Sequence, residues 1–174
     1  MNFMNKAIFL DRDGTIIKDK LYLSDVSGIE FLQDVDVALK KFLTCGFELI
    51  VVTNQSGVGR GYYSESELGI VNNRIKSDLS KLSIPILDFY YCPHYVGSQI
   101  SKYDVKCNCR KPSPGMIFQA VKEHKIDLSV SYMIGDKDSD VQAGKNAGLK
   151  KSFLIDERHN LLYYAELICI SSGS

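Results

Sequence analysis

Ala7-Ile8-Phe9-Leu10-Asp11-Arg12-Asp13-Gly14-Thr15 is the stretch that decides the fold of this chain. Its first four residues are an unbroken apolar run, the pattern of a strand buried on both faces of a parallel sheet. Two carboxylates follow two positions apart, and in extended backbone such side chains point the same way. Paired acids and a Gly-Thr turn at a strand end are poor packing but suit chemistry. One carboxylate can attack as a nucleophile while the other moves protons. Alone, the stretch is equally compatible with an acidic surface turn, so the rest of the chain has to decide.

Moving outward, apolar runs alternate with helical patterns throughout. Strands are predicted over 6–11, 47–53, 87–91, 131–135 and 151–155, and helices over 34–45, 65–82, 114–125 and 138–147. Gly46 and Gly148 stand where helix C-caps belong. Ser64 with Glu67 three residues on reads as a capping box. Leu39, Phe42 and Leu43 share one helical face and are core candidates. The alternation predicts an α/β fold: a three-layer Rossmann-like domain with a central parallel sheet, occupying 1–174 as a single domain. Sites in such folds lie at the carboxyl ends of the strands. Asp11, Thr53, Cys92 and Asp136 all fall at or just past those ends. Residues 15–33 form a long excursion, expected to be a flap or small hairpin near the site. There are no repeats, low-complexity stretches or internal linkers, and the tail Ser171-Ser172-Gly173-Ser174 is expected to fray.

The chain has 174 residues, 45% hydrophobic and 24% charged, enough for one domain with a full core. Lys+Arg and Asp+Glu both number 21, so no net charge favours a nucleic-acid or membrane partner. Met1-Asn2-Phe3-Met4-Asn5-Lys6 is too short and polar for a signal peptide, and no apolar run reaches membrane-spanning length. A cytoplasmic location is expected. Five cysteines without an export signal argue against a disulfide framework. Cys45 and Cys169 lie in apolar surroundings and are expected to be inert buried thiols. His124 and His159 are expected in solvated roles, and no leftover apolar helix stripe points away from a monomer.

Three further segments carry chemistry. Thr53-Asn54-Gln55-Ser56-Gly57 follows a strand and suits a phosphate cradle of hydroxyl and backbone donors, or a plain polar loop. Arg110-Lys111-Pro112 supplies fixed positive charge. Gly135-Asp136-Lys137-Asp138-Ser139-Asp140 ends another strand with carboxylates that suit Mg²⁺. Cys92-Pro93-His94 and Cys107-Asn108-Cys109, twelve residues apart, make a closed Cys₃His set for a structural zinc. Such a zinc would brace the loop that carries Arg110 and Lys111.

Together these segments resemble the haloacid dehalogenase superfamily of phosphohydrolases, and the resemblance covers nearly the whole chain. It implies that Asp11 is the nucleophile and Asp13 the acid/base, and that Thr53, Lys111 and neighbours Asn54, Gln55 and Lys137 bind phosphate. It also implies Mg²⁺ held by Asp11, the Asp13 carbonyl and Asp136, with Asp140 orienting Lys111 or Lys137. The zinc loop beside Cys109-Arg110-Lys111-Pro112, and the absence of room for a large cap domain, look like the D,D-heptose 1,7-bisphosphate phosphatases and the histidinol-phosphate phosphatases. The long gap in the cysteine loop and the segment Gln55-Ser56-Gly57-Val58-Gly59-Arg60-Gly61-Tyr62 resemble the heptose group. That resemblance implies removal of the C7 phosphate of a small sugar bisphosphate in nucleotide-heptose and lipopolysaccharide core precursor synthesis. Arg110 and Arg60 are then candidates for the distal phosphate, and Tyr62 for the sugar. A phospho-acceptor module is disfavoured by Asp13, which would shorten an aspartyl-phosphate's life. A nucleic-acid end phosphatase is disfavoured by the lack of a basic stripe.

Overall fold

The computed structural model describes residues 4–172; Met1, Asn2, Phe3, Gly173 and Ser174, which the readings of both termini include, lie outside the described residues. Five strands, β1 (Ala7–Leu10), β2 (Glu48–Asn54), β3 (Asp88–Cys92), β4 (Tyr132–Gly135) and β5 (Lys151–Leu154), form one sheet in the order β3-β2-β1-β4-β5. Every pairing is parallel. The helices are α1 (Val35–Thr44), α2 (Ser56–Gly59), α3 (Glu65–Lys81), α4 (Gly115–His124), α5 (Asp138–Ala147) and α6 (Leu161–Ser172).

The sheet is covered on both faces because its strands are apolar on both faces. Along β1, Ile8 and Leu10 pack with α1, α3 and α6, while Ala7 and Phe9 pack with α4 and α5. Leu49 and Val51 of β2 join the first cluster, Ile50 and Val52 the second. The period-2 alternation of side chains therefore builds a three-layer domain with β1 at its centre.

The ends of the helices follow their capping chemistry. The Ser64–Glu67 capping box opens α3. Gly46 and Gly148 take the left-handed conformation just after α1 and α5, with φ of +78° and +83°.

Three expectations are corrected. Residues 161–172, unassigned by pattern, form α6, so Ser171 and Ser172 end a helix rather than a frayed tail. Cys45 and Cys169, expected as separate thiols, are joined as a disulfide. Their Cα atoms stand 5.9 Å apart, within bridging range, because α6 packs along α1. His124 is not merely solvated, for its Nε2 meets Asp88 Oδ2 at 3.0 Å. Among the described residues no helix is long and apolar enough to cross a membrane.

Candidate active site

Parallel strands bring the predicted residues to one edge. Asp11 follows β1, and its backbone N–H is held by Ile134 O of β4 at 3.1 Å. Thr53 and Asn54 end β2, and Asp136 follows β4. Gly14 turns the chain with φ +82°, and a Cβ there would overlap the Asp136 carboxylate. Glycine is thus required for the two acidic loops to meet. Gly135 has the same role toward Asp140, whose carboxylate a Cβ would strike.

Lys111 is the hub. Lys111 is 4% exposed, and its ammonium contacts Asp11 Oδ1, Asp140 Oδ1 and the Val52 carbonyl, each at 2.6 Å. Burial works against its charge, but Asp11 and Asp140 outweigh that and hold its pKa above the ordinary lysine value. Asp140 also accepts from the Lys137 backbone N–H at 3.0 Å, so of the two predicted cations only the Lys111 ammonium contacts it, and the Lys137 ammonium meets Asp19 instead. Burial, then the Asp11 charge, pushes Asp136 up to about 6. Burial likewise raises Asp13, against the pull of Arg12.

Asn54 braces Lys111 from behind. Its amide donates to Lys111 O at 3.1 Å and accepts from Lys111 N at 3.0 Å. Gln55 Nε2 donates to Thr53 Oγ1 and to Asp13 Oδ2, both at 2.8 Å. A pocket of about 30 Å³ lies among Asp11, Asp13, Thr53, Lys111 and Asp140. It adjoins a cavity of about 350 Å³ that Tyr22, Tyr63, Arg110 and Lys137 help to line. A small group fits the inner pocket and its larger remainder the outer one. Asp19 and Tyr22 bring the 15–33 excursion to the cavity wall, where Asp19 meets Lys137 Nζ at 3.2 Å.

Two predicted residues fall elsewhere. The Arg60 guanidinium is stacked 3.7 Å from the Tyr95 ring centre and does not line the cavity. Tyr62 packs edge-on against Tyr22 with ring centres 4.6 Å apart, and its neighbour Tyr63 faces the cavity instead. Sequence reasoning also missed Arg12, which is fully buried and ion-paired to Asp13 at 3.0 Å. A side chain between two strand-end acids gave no signal of burial.

Both metal candidates pass a chemical test. Asp11, Asp136 and Asp140 present oxygens within 4.8 Å of one another. Asp136 Oδ1 is buried with no hydrogen-bond partner, an unmet valence that a hard cation would satisfy. Cys92, His94, Cys107 and Cys109 converge in the same way. Cys109 Sγ lies 3.0 Å from Cys92 Sγ and 3.2 Å from His94 Nδ1, and Cys107 Sγ lies 3.5 Å from Cys92 Sγ. These separations approach the edges of a tetrahedron with metal–sulfur arms of about 2.3 Å. The Cys92–Cys109 hydrogen bond lowers the Cys109 thiol and raises that of Cys92, so the two sulfurs share a proton that a bound zinc would displace. Arg110 follows directly and reaches His94 O at 3.4 Å.

Residues 108–156 match the HAD-hydrolase-like family. Over 154 residues the chain is 43% identical to the D-glycero-alpha-D-manno-heptose-1,7-bisphosphate 7-phosphatase of Photorhabdus laumondii, covering 88% of this chain and 84% of that one. It is 41% identical to the D-glycero-beta-D-manno-heptose-1,7-bisphosphate 7-phosphatase of Pasteurella multocida, covering 87% and 82%. Among solved structures, a HAD-like phosphatase of Mesorhizobium loti superposes with a TM-score of 0.88 at 31% identity, covering 98% of this chain and 88% of that one. The D,D-heptose 1,7-bisphosphate phosphatase of B. bronchiseptica, solved with magnesium and phosphate, shares the fold with a TM-score of 0.82 at 24% identity, covering 95% and 99%.

Proposed function

We propose that this chain, which belongs to the haloacid-dehalogenase-like hydrolases and within them to the family of the heptose-1,7-bisphosphate 7-phosphatases, removes the C7 phosphate of D-glycero-D-manno-heptose 1,7-bisphosphate. The observation that carries this is the buried Asp11–Lys111–Asp140 contact that lines the 30 Å³ pocket. It pairs a carboxylate nucleophile with a fixed cation where a phosphoryl group fits.

The reaction has two steps. Asp11 attacks phosphorus, and the bond to the leaving sugar oxygen breaks as Asp13 supplies its proton. Asp13, now a carboxylate, takes a proton from water that attacks the aspartyl-phosphate and frees phosphate. Lys111 cancels repulsion between the two anions, and Thr53 and Lys137 hold the transferring oxygens, while Gln55, whose two amide hydrogens go to Thr53 and Asp13, supports those residues instead. Asp11, Asp136 and the Asp13 carbonyl would hold Mg²⁺, which supplies further charge neutralisation at the equatorial oxygens when bound.

Cys92, His94, Cys107 and Cys109 would hold zinc in a structural role, since the four of them complete a tetrahedral set. Arg110, which follows Cys109 directly, would then be braced, and its planar guanidinium suits the distal phosphate at the cavity wall. Residues 1–174 act as one domain, a monomer working in the cytoplasm on a small sugar phosphate.

Phosphate release measured side by side on both heptose 1,7-bisphosphate anomers and on histidinol phosphate tests the assignment. Faster turnover of histidinol phosphate would overturn it.

A further inference from the structure

Arg12 is the member of the strand-end motif to which the proposed reaction gives no role. It is fully buried, and a buried guanidinium needs its charge and donors satisfied. Its Nε donates to Asp13 Oδ2 at 3.1 Å and its Nη2 to Asp13 Oδ1 at 3.2 Å. Its Nη1 donates to Asn72 Oδ1 at 2.8 Å. Asn72 lies on α3 and is itself only 6% exposed.

A second support reaches Asp13 from the same side. Gln55 Nε2 donates to Asp13 Oδ2, and Gln55 Oε1 accepts the Tyr63 hydroxyl at 2.6 Å. Tyr63 stands just ahead of α3, and Gly57 makes room for it, since a Cβ there would overlap its ring. Asn72 and Tyr63 touch neither Asp11 nor the inner pocket. Both nonetheless set the direction of a donor aimed at Asp13.

The lone pairs decide the consequence. Each carboxylate oxygen accepts about two hydrogen bonds. Asp13 Oδ2 already receives Arg12 Nε and Gln55 Nε2, whereas Oδ1 receives Arg12 Nη2 alone. Capacity for a proton is therefore left on Oδ1. We propose that Asn72 and Tyr63 are positioning residues which, through Arg12 and Gln55, fix the Asp13 carboxyl so that Oδ1 delivers the proton to the leaving alkoxide. As the Asp11–phosphorus bond forms, the phosphorus–sugar oxygen bond breaks. The Oδ1 proton passes to that oxygen, and Asp13 is left a carboxylate. This rests on the phosphatase reaction proposed above, with Asp13 as its acid.

The test compares two leaving groups. The heptose ester leaves as an alkoxide and needs the proton, whereas p-nitrophenyl phosphate leaves as a stable phenolate and needs it little. The parameter is kcat/KM, which covers events only through departure of the leaving group. Asn72→Leu removes the acceptor for Arg12 at similar volume, and Asn72→Asp keeps one. Tyr63→Phe deletes only the hydroxyl and keeps the packing.

Asn72→Leu should lose about tenfold more on heptose 1,7-bisphosphate than on the aryl ester, part of the range general acids contribute. Asn72→Asp should restore the wild-type ratio, and Tyr63→Phe should shift the ratio the same way as Asn72→Leu. Equal fractional losses on both esters in Asn72→Leu and Tyr63→Phe would overturn the inference and leave these residues a packing role. A wild-type chain that turned over neither ester would sink the phosphatase reaction itself, and this inference with it.

Discussion

Lys111 Nζ stands 2.6 Å from Asp11 Oδ1, although the two residues are 100 positions apart in sequence. Both side chains are almost wholly buried, so the pair is screened little by water. Asp11→Asn should keep the fold and lose turnover by about a thousandfold or more, because an amide is not a useful nucleophile. Steady-state phosphate release checks this, and substantial residual activity would rule out the covalent route. Lys111→Met should destabilise by about 3–5 kcal/mol, since it leaves Asp11 and Asp140 buried without a cation. Urea unfolding reads that loss, and a change below about 1 kcal/mol would show that the two carboxylates find other compensation.

Metal removal should separate two roles. Mild EDTA should stop catalysis reversibly by stripping a weakly held Mg²⁺, while zinc remains near one per chain. Cys107→Ser or Cys109→Ser should lose zinc and lower both melting temperature and activity, because Arg110 and Lys111 follow the cluster directly. Elemental analysis of protein purified without chelator is the check, and absence of zinc there would defeat the structural role.

Arg110→Ala should cost the bisphosphate substrate about tenfold more in kcat/KM than a small aryl monophosphate. Binding energy at a distal phosphate helps align the reacting one. Equal losses would mean that Arg110 serves only the reacting phosphate. Arg60→Ala should cost less, since its guanidinium is stacked on Tyr95 and, though near Tyr22, does not itself line the cavity.

Glu65 should carry a pH-dependent share of stability. It accepts the Tyr103 hydroxyl at 2.5 Å and the Tyr91 hydroxyl at 2.7 Å, tying the start of α3 to β3 and the cysteine loop. The Tyr103 bond, then that of Tyr91, holds its pKa below the ordinary glutamate value. A depressed carboxylate stabilises above its unfolded pKa and loses that contribution as pH falls through the folded one. Glu65→Gln should therefore be less stable than wild type at pH 7, by about 0.5 kcal/mol once solvent screening at this partly exposed carboxylate is allowed for. The gap should close on acidification below the unfolded glutamate pKa of about 4.3. A gap unchanged with pH would show that the charge is not what matters.

The strands, four of the helices and the gathering of the candidate site residues at one sheet edge were legible because each has a local cause. Short apolar runs between helical patterns give strands, and Ser64 with Glu67 marks a helix start. Helix α6 escaped because its sequence is apolar nearly all round, leaving no 3.6-residue periodicity to find. The Cys45–Cys169 bond escaped because only the packing of α6 on α1 brings the sulfurs together. Arg12 and Asn72 escaped for a similar reason. Each is an ordinary polar residue locally, and their shared burial arises from partners 60 positions apart.

The strand order sets a timetable for biosynthesis. β1 is the first strand to leave the ribosome, yet Ile8 and Leu10 pair with Tyr132 and Ile134 of β4 as well as with β2. While β2 and β3 emerge and pair, one edge of β1 stays open until most of the chain has been translated. Non-local pairings of this kind form slowly, and exposed edges invite association between nascent chains. Asp136 arrives with β4, so Asp11 meets it only at this late closure. Truncated chains ending before β4 should be inactive and aggregation-prone, and vulnerability to proteases should persist until translation is nearly finished.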